Sequence, residues 1–283
     1  MNEILIAVVL GIVEGLTEFL PVSSTGHLIL VGNWLNFTGA KANAFNIFIQ
    51  LGAIFAVVGY FRQRLWRVVT AMLGKPVAGN PNGMTPAEAR RFLLAVIIAF
   101  IPAAVFGLLL EDIIDKLLFD PQPVAAALIV GGVAILIIEQ FRPQPKTEVA
   151  EALTLAQALW VGIAQCAALI PGISRSAATI MGGLLTGLTH AAAAEFSFFL
   201  SIPTLAAASL YKLLQVAPQL SADDVTVFAT GFIVSMIVAW VVIAGFMAFI
   251  KRHSFRVFAW YRIVFGFVIL LMMLFGVEIK ISE

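Results

Sequence analysis

Six stretches of this chain, near residues 45–61, 92–110, 122–139, 194–211, 226–249 and 257–276, are apolar almost without interruption. A helix that crosses a bilayer needs about 20 such residues. Inside lipid the backbone must satisfy its own polar groups, so these runs predict spanning helices. The chain is 61% hydrophobic and 12% charged, against roughly 45–50% and about 25% in soluble domains. That leaves too little charge to cover a water-facing surface and excludes a soluble protein with a large core. The expected class is an all-α polytopic membrane protein, one membrane domain over residues 1–283 in contact with membrane lipids. A net charge of +1 points to no nucleic-acid partner. The single cysteine, Cys166, excludes an internal disulfide framework and a Cys-based metal cluster, and reads as a small buried residue. The N-terminal apolar run lacks a positive flank and is interrupted by Glu14 and Glu18, so it reads as mature protein rather than a signal peptide.

Two further regions, 4–33 and 153–189, are apolar but broken, each with a proline, several glycines and a Ser/Thr cluster at its centre. Irregular backbone at membrane depth is tolerated only where it is buried in protein or lines a cavity. Both regions therefore predict re-entrant hairpins. "GIVEGLTEFLPVSSTGH" from Gly11 parallels "GIAQCAALIPGISRSAAT" from Gly162, and "AFNIFIQL" from Ala44 parallels "EFSFFLSI" from Glu195 at the same offset. The chain thus divides into two repeats. Residues 1–140 hold hairpin 4–33 and spans 45–61, 92–110 and 122–139; residues 153–276 hold hairpin 153–189 and spans 194–211, 226–249 and 257–276. Three spans is an odd number, so the second hairpin enters from the opposite face. That is an inverted-topology repeat, which places sites where broken helices meet near the midplane.

Loop charges orient the chain. The 62–91 loop carries Arg62, Arg64, Arg67, Lys75, Arg90 and Arg91 against Glu88, and the 250–256 loop carries Lys251, Arg252 and Arg256. Both are expected in the cytoplasm. The 111–121 loop carries Glu111, Asp112, Asp115 and Asp120 against Lys116, and 212–225 carries Asp223 and Asp224 against Lys212. Both are expected outside, with the mouth of the first hairpin. Residues 74–90 read as a flexible polar connector, with Thr85-Pro86 starting the next helix.

Within the first hairpin, Glu14 and Glu18 are four apart and share a helix face. Intramembrane carboxylates are costly and face a cavity or a partner; snorkelling to the headgroups is the alternative. A shared proton or a cation would relieve their repulsion, and Mg²⁺ commonly takes one or two carboxylates plus substrate phosphate oxygens. Pro21 ends the first half-helix, and Ser23, Ser24, Thr25 and Gly26 open the next. A helix N-terminus is a phosphate site, although these hydroxyls serve equally as caps. His27 follows as a candidate acid or base. In the second hairpin, Ser174, Ser176 and Thr179 repeat the pattern around Arg175. Its fork matches phosphate oxygens, and an ion pair with Glu14 or Glu18 is compatible with that role. Gln165 stands where Glu14 does in the first repeat. Gln50 either lines the cavity or bonds between helices, and Glu195 does likewise. Tyr261 and Arg262 read as an interfacial anchor at the start of the last span.

"EGLTEFLPVSSTGH" and "PGISRSAAT" resemble the two signature motifs of the bacterial undecaprenyl-pyrophosphate phosphatase family, also called bacitracin-resistance proteins. The resemblance covers nearly the whole chain. It implies a multi-pass enzyme of the bacterial inner (cytoplasmic) membrane that cuts undecaprenyl pyrophosphate to undecaprenyl phosphate and inorganic phosphate. That recycles the lipid carrier of cell-wall synthesis and confers bacitracin resistance. It further implies a site open to the periplasm, a divalent cation (Mg or Ca) and a homodimer. By position, Glu14 and Glu18 match the acidic pair, Ser24 and His27 the candidate nucleophile and acid/base, and Arg175 the phosphate-binding arginine. Ser23, Thr25, Ser174, Ser176 and Thr179 match the hydroxyl lining. Two mechanisms stay open: attack by Ser24 with His27 handling protons, or attack by a cation-bound water. Broken-helix repeats are also a transporter architecture, so a polyprenyl-phosphate flippase is the alternative function.

Overall fold

The computed structural model describes residues 2–74, 84–117, 121–216 and 224–277, with backbone alone at 111, 112, 114–117, 215 and 216. Among these residues the regular elements are helices. The first broken region is α1 (Glu3–Thr17) and α2 (Ser24–Trp34). Then come α3 (Ala40–Tyr60), α4 (Arg62–Met72), α5 (Pro86–Leu117) and α6 (Pro121–Phe141). The second broken region is α7 (Leu155–Gln165), a 3-10 turn (Cys166–Leu169) and α8 (Arg175–Leu185), followed by α9 (His190–Val216), α10 (Val225–Ile250) and α11 (Arg256–Leu274).

Six helices, α3, α5, α6, α9, α10 and α11, are long and apolar enough to cross a membrane. They coincide with the six expected spans, but α3 and α5 begin earlier, at Ala40 and Pro86. Polar first turns extend a helix beyond its apolar length, and on α5 they are well capped. Thr85 and Glu88 form a reciprocal capping box, with Glu88 N to Thr85 Oγ1 at 3.2 Å and Thr85 N to Glu88 Oε2 at 2.8 Å. Helix α4 was expected as part of a loop. Its Val68 and Ala71 are buried while Trp66, Val69 and Leu73 stay exposed, the pattern of a short amphipathic helix that averages out in a span-length window. Residues 75–83 of the connector, with Lys75, lie outside the described residues, as do Asp120, Asp223 and the side chains of Glu111, Asp112, Asp115 and Lys116.

Each broken region packs on a long helix from the other half of the chain: α1 lies along α10, and α7 along α5. Small residues permit the close approach. A Cβ on Gly11 would stand 2.8 Å from the Gly231 carbonyl, and one on Gly162 would stand 2.5 Å from the Ala99 carbonyl. α3 packs against α9 and α6 against α11, closing the bundle around both breaks. A large aromatic core formed by Phe19, Phe61, Phe198, Phe199 and Phe246 reaches the first break through Phe19.

Candidate active site

The two breaks share one unusual backbone conformation. Ser23, just before α2, has φ 71°, and Ser174, just before α8, has φ 72°. Non-glycine residues rarely hold positive φ, and such strain persists only where the surroundings enforce it. Each of these serines leads directly into the N-terminus of a half-helix, α2 or α8. Ser176 Oγ crosses between the two broken regions, donating to the Leu20 carbonyl at 2.9 Å. Ser174 Oγ caps α8 by accepting from Ala177 N at 3.3 Å; Ser23 makes no such bond.

Glu18 and Arg175 meet between the breaks. Arg175 Nη2 donates to Glu18 Oε1 at 3.1 Å, and Nη1 donates to the Ser197 carbonyl at 3.0 Å and to its Oγ at 3.2 Å. The guanidinium lies over the Phe19 ring, 5.8 Å from its centre, and its buried Nε has no hydrogen-bond partner. The other Glu18 oxygen, Oε2, accepts from Ser24 Oγ at 2.6 Å. One carboxylate therefore fixes the arginine with one oxygen and holds the serine proton with the other.

These groups open onto a cavity of about 540 Å³. Glu18, Ser23, Ser24, Thr25, Ser174 and Arg175 line its polar end, with Gln50, Gln165 and Thr204 beside them. Gln50 also accepts from Ser209 Oγ at 3.1 Å. Gln165 accepts from Thr204 Oγ1 at 3.4 Å and donates to the Ala99 carbonyl at 3.5 Å. The rest is an apolar slot between α5 (Phe100, Ala103, Ala104, Gly107, Leu108) and α9 (Leu205, Ala207, Ala208), walled as well by Ala168, Leu169, Pro171 and Gly172 of the second break, with Tyr211 and Lys212 at its far end.

Several expected site residues stand behind this wall. Glu14 is buried, 1% exposed, and its Oε1 lacks a hydrogen-bond partner. Ser176 is spent on Leu20 and Ser174, and Thr179 Oγ1 pairs with Ser197 Oγ at 2.7 Å. Gly26 faces Leu128, Val124 and Phe265 rather than the cavity. His27 is also turned away from Ser24. A carbonyl only accepts, so its Nδ1 donates to the Ser23 carbonyl at 2.7 Å, and Nε2 of the neutral ring accepts from the Tyr261 hydroxyl at 2.6 Å. The ring stacks on Phe265, with centroids 4.2 Å apart. Glu195 pairs with Arg64 at 2.8 Å, away from the cavity, and Cys166 is half-buried as a free thiol.

The anchor expected at the start of α11 is corrected for one of its two residues. Tyr261 is 46% exposed, but Arg262 is 0% exposed and makes carbonyl hydrogen bonds inside the bundle. A basic residue at the end of an apolar run reads the same from sequence whether it snorkels out or turns in. Ser197 was not singled out at all; its only signal is a hydroxyl in the apolar run "EFSFFLSI".

Among the described residues no three His, Cys, Asp or Glu side chains gather as a metal cage. The donor set near the breaks is two carboxylates, one with an unpartnered oxygen. Such a set suits a hard cation only if phosphate oxygens complete the shell.

Fold and site together define a polytopic membrane protein with a cavity whose polar end is built from two helix breaks and whose remainder is apolar. The family model described as "Bacitracin resistance protein BacA" matches residues 7–268, and the chain belongs to that family. It is similar to the "Undecaprenyl-diphosphatase 1" of Chromobacterium violaceum, with 52% identity over 265 residues covering 93% of this chain and 94% of the relative. It is 51% identical to the "Undecaprenyl-diphosphatase" of Ectopseudomonas mendocina over 264 residues, covering 93% and 92%. The "Undecaprenyl-diphosphatase" of Nitrosomonas europaea is 49% identical over 265 residues, covering 94% and 93%.

Proposed function

We propose that this protein hydrolyses undecaprenyl pyrophosphate to undecaprenyl phosphate and inorganic phosphate, recycling the carrier lipid and conferring bacitracin resistance. The single observation that carries this reading is Glu18 between Ser24 and Arg175, at 2.6 and 3.1 Å, on the wall of a cavity whose remainder is apolar. Arg175, released from Glu18, and the two half-helix N-termini hold the pyrophosphate. The prenyl chain leaves along the slot between α5 and α9.

Ser24 Oγ attacks the terminal phosphorus as its proton passes to Glu18. The bond from that phosphorus to the bridging oxygen breaks, releasing undecaprenyl phosphate and leaving a phosphoserine. Glu18 returns its first proton to the leaving phosphate, and water then attacks the phosphoserine as its proton passes to Glu18. The bond from phosphorus to Ser24 Oγ breaks, and Ser24 Oγ takes the proton back from Glu18 as inorganic phosphate leaves. The 2.6 Å hydrogen bond supports Glu18 rather than His27 as the base on Ser24. His27 fixes the Ser23 carbonyl and through it the strained turn. A divalent cation would be held by Glu14 and Glu18 and would supply charge neutralisation to the phosphates.

Several features support the inverted repeat 1–140 and 153–276 with its hairpins. Ser23 and Ser174 share a backbone conformation, and α1 on α10 parallels α7 on α5. Orientation follows from charge. The slot runs toward the C-terminal ends of α5 and α9, away from Arg62, Arg64 and Arg67. With basic segments inside, the cavity opens to the periplasm from the inner membrane. The homodimer carried by the family resemblance is tested by light scattering of the solubilised protein.

The test of function is phosphate release from undecaprenyl pyrophosphate by purified protein in detergent, with and without a chelator. Wild type should release phosphate, and Arg175→Ala should not. A trapped phosphoserine at Ser24 supports the two-step route; full activity of Ser24→Ala supports direct attack by water. Lipid translocation without phosphate release would support the flippase instead.

A further inference from the structure

We infer that Arg262 is a positioning residue of the phosphate site: its guanidinium ties the two helix breaks to α6 and so fixes the spacing of the two half-helix N-termini. The side chain is 0% exposed, and five hydrogen bonds run from it to backbone carbonyls. Nε donates to Leu128 at 3.3 Å and Nη2 to Ala127 at 3.2 Å, both on α6. Nη1 donates to Pro21 at 3.3 Å in the first break and to Ile173 at 2.7 Å in the second. Nη2 also donates to Gly172 at 3.0 Å. An arginine has five N–H donors in a rigid fork, and here each has an acceptor. None of these acceptors is a carboxylate, so the buried charge is solvated by backbone dipoles alone.

The acceptors explain why this matters to the site. Pro21 leads into Ser23 and Ser24, and Gly172 and Ile173 lead into Ser174 and Arg175. These are the segments whose serines hold positive φ. One planar group thus reaches both strained turns from behind, on the side away from the cavity. α6 makes room for it: a Cβ on Gly131 would stand 2.1 Å from Nη2 and 2.8 Å from Cζ. Lysine keeps the charge but presents its donors from one point, and cannot span three backbone segments. The inference rests on the reading of Ser24, Glu18 and Arg175 as the phosphate site.

The experiment compares Arg262→Lys, Gly131→Ala and Arg262→Ala with wild type and Arg175→Ala, in purified detergent-solubilised protein. It measures thermal unfolding and the separate kcat and KM for undecaprenyl pyrophosphate. Misplacement by about 1 Å costs roughly 100-fold in rate. Folded Arg262→Lys and Gly131→Ala should therefore lose about 100-fold in kcat with KM changed by less than about threefold. Added guanidinium, but not ammonium, should restore part of the kcat of Arg262→Ala; a purely structural role would not give that. Folded Arg262→Lys with kcat within about threefold of wild type, or activity that only tracks the folded fraction, overturns the proposal. So does failure of all three variants to fold, which makes Arg262 a structural residue alone. Full activity in Arg175→Ala would instead sink the site reading itself, a result separable from any of these.

Discussion

Glu18→Gln probes the site most directly, because the carboxylate does two things at once. Its Oε1 accepts from Arg175 and its Oε2 from Ser24. Glutamine offers one acceptor oxygen and one amide that only donates. With its oxygen toward Arg175, the amide points at Ser24, and the serine proton has no base. Turned the other way, two donors face each other across the former ion pair. Loss of a general base costs about 10²–10⁴ in rate, or roughly 2.7–5.4 kcal/mol of barrier at 1.36 kcal/mol per decade. Removing one partner of a buried ion pair costs about 3–5 kcal/mol of stability. Here the cost should fall at or below the low end, because Ser197 still holds Arg175. The expected protein folds and releases phosphate from undecaprenyl pyrophosphate at least about 100-fold more slowly. Serine and base act as a unit, so Glu18→Gln combined with Ser24→Ala should be no slower than the worse single variant. Glu18→Gln retaining more than about a tenth of wild-type kcat, or losses that multiply in the double variant, would refute the assignment.

Three other variants separate the parts. Ala104→Trp fills the slot between α5 and α9. It should raise KM for undecaprenyl pyrophosphate by about tenfold or more, from lost apolar burial, while leaving a short prenyl pyrophosphate unaffected; equal effects on both would deny the slot its tail. Tyr261→Phe removes the donor to His27 Nε2. It should lower unfolding stability by about 1–3 kcal/mol and leave the pH profile of kcat in place; a displaced profile would return His27 to the chemistry. Ser23→Gly should raise the melting stability by about 1 kcal/mol, because glycine holds positive φ without strain. A loss of stability would show that the hydroxyl matters more than the turn.

Much of this architecture is legible from the chain. Long apolar runs mark the spans, because lipid leaves a helix little choice, and the paired breaks around Pro21 and Pro171 stand out against them. Ser24, Glu18 and Arg175 are visible as polar groups where none should be. What sequence does not carry is direction. Glu14 and Glu18 share a face on paper, yet only Glu18 reaches the cavity. His27 lies three residues beyond Ser24 on α2 but meets α11, where its Nε2 accepts from the Tyr261 hydroxyl. Arg262 shows the same limit: a basic residue near a helix end looks like an anchor until the carbonyls around it are known. α4 escaped because charge and apolar residues alternate too closely for a hydropathy window.

The pairing of α1 with α10 has a consequence for how the protein is made. α1 leaves the ribosome long before α10. Until α10 follows, the first broken region must therefore wait at the membrane with Glu14 and Glu18 lacking their eventual surroundings. Contacts this distant along the chain form late. α11, which supplies Tyr261 and Arg262, arrives later still. A chain truncated before α10 thus carries every signature residue of the site without the site itself, and insertion machinery has to shelter two unplaced carboxylates until α10 and α11 have emerged.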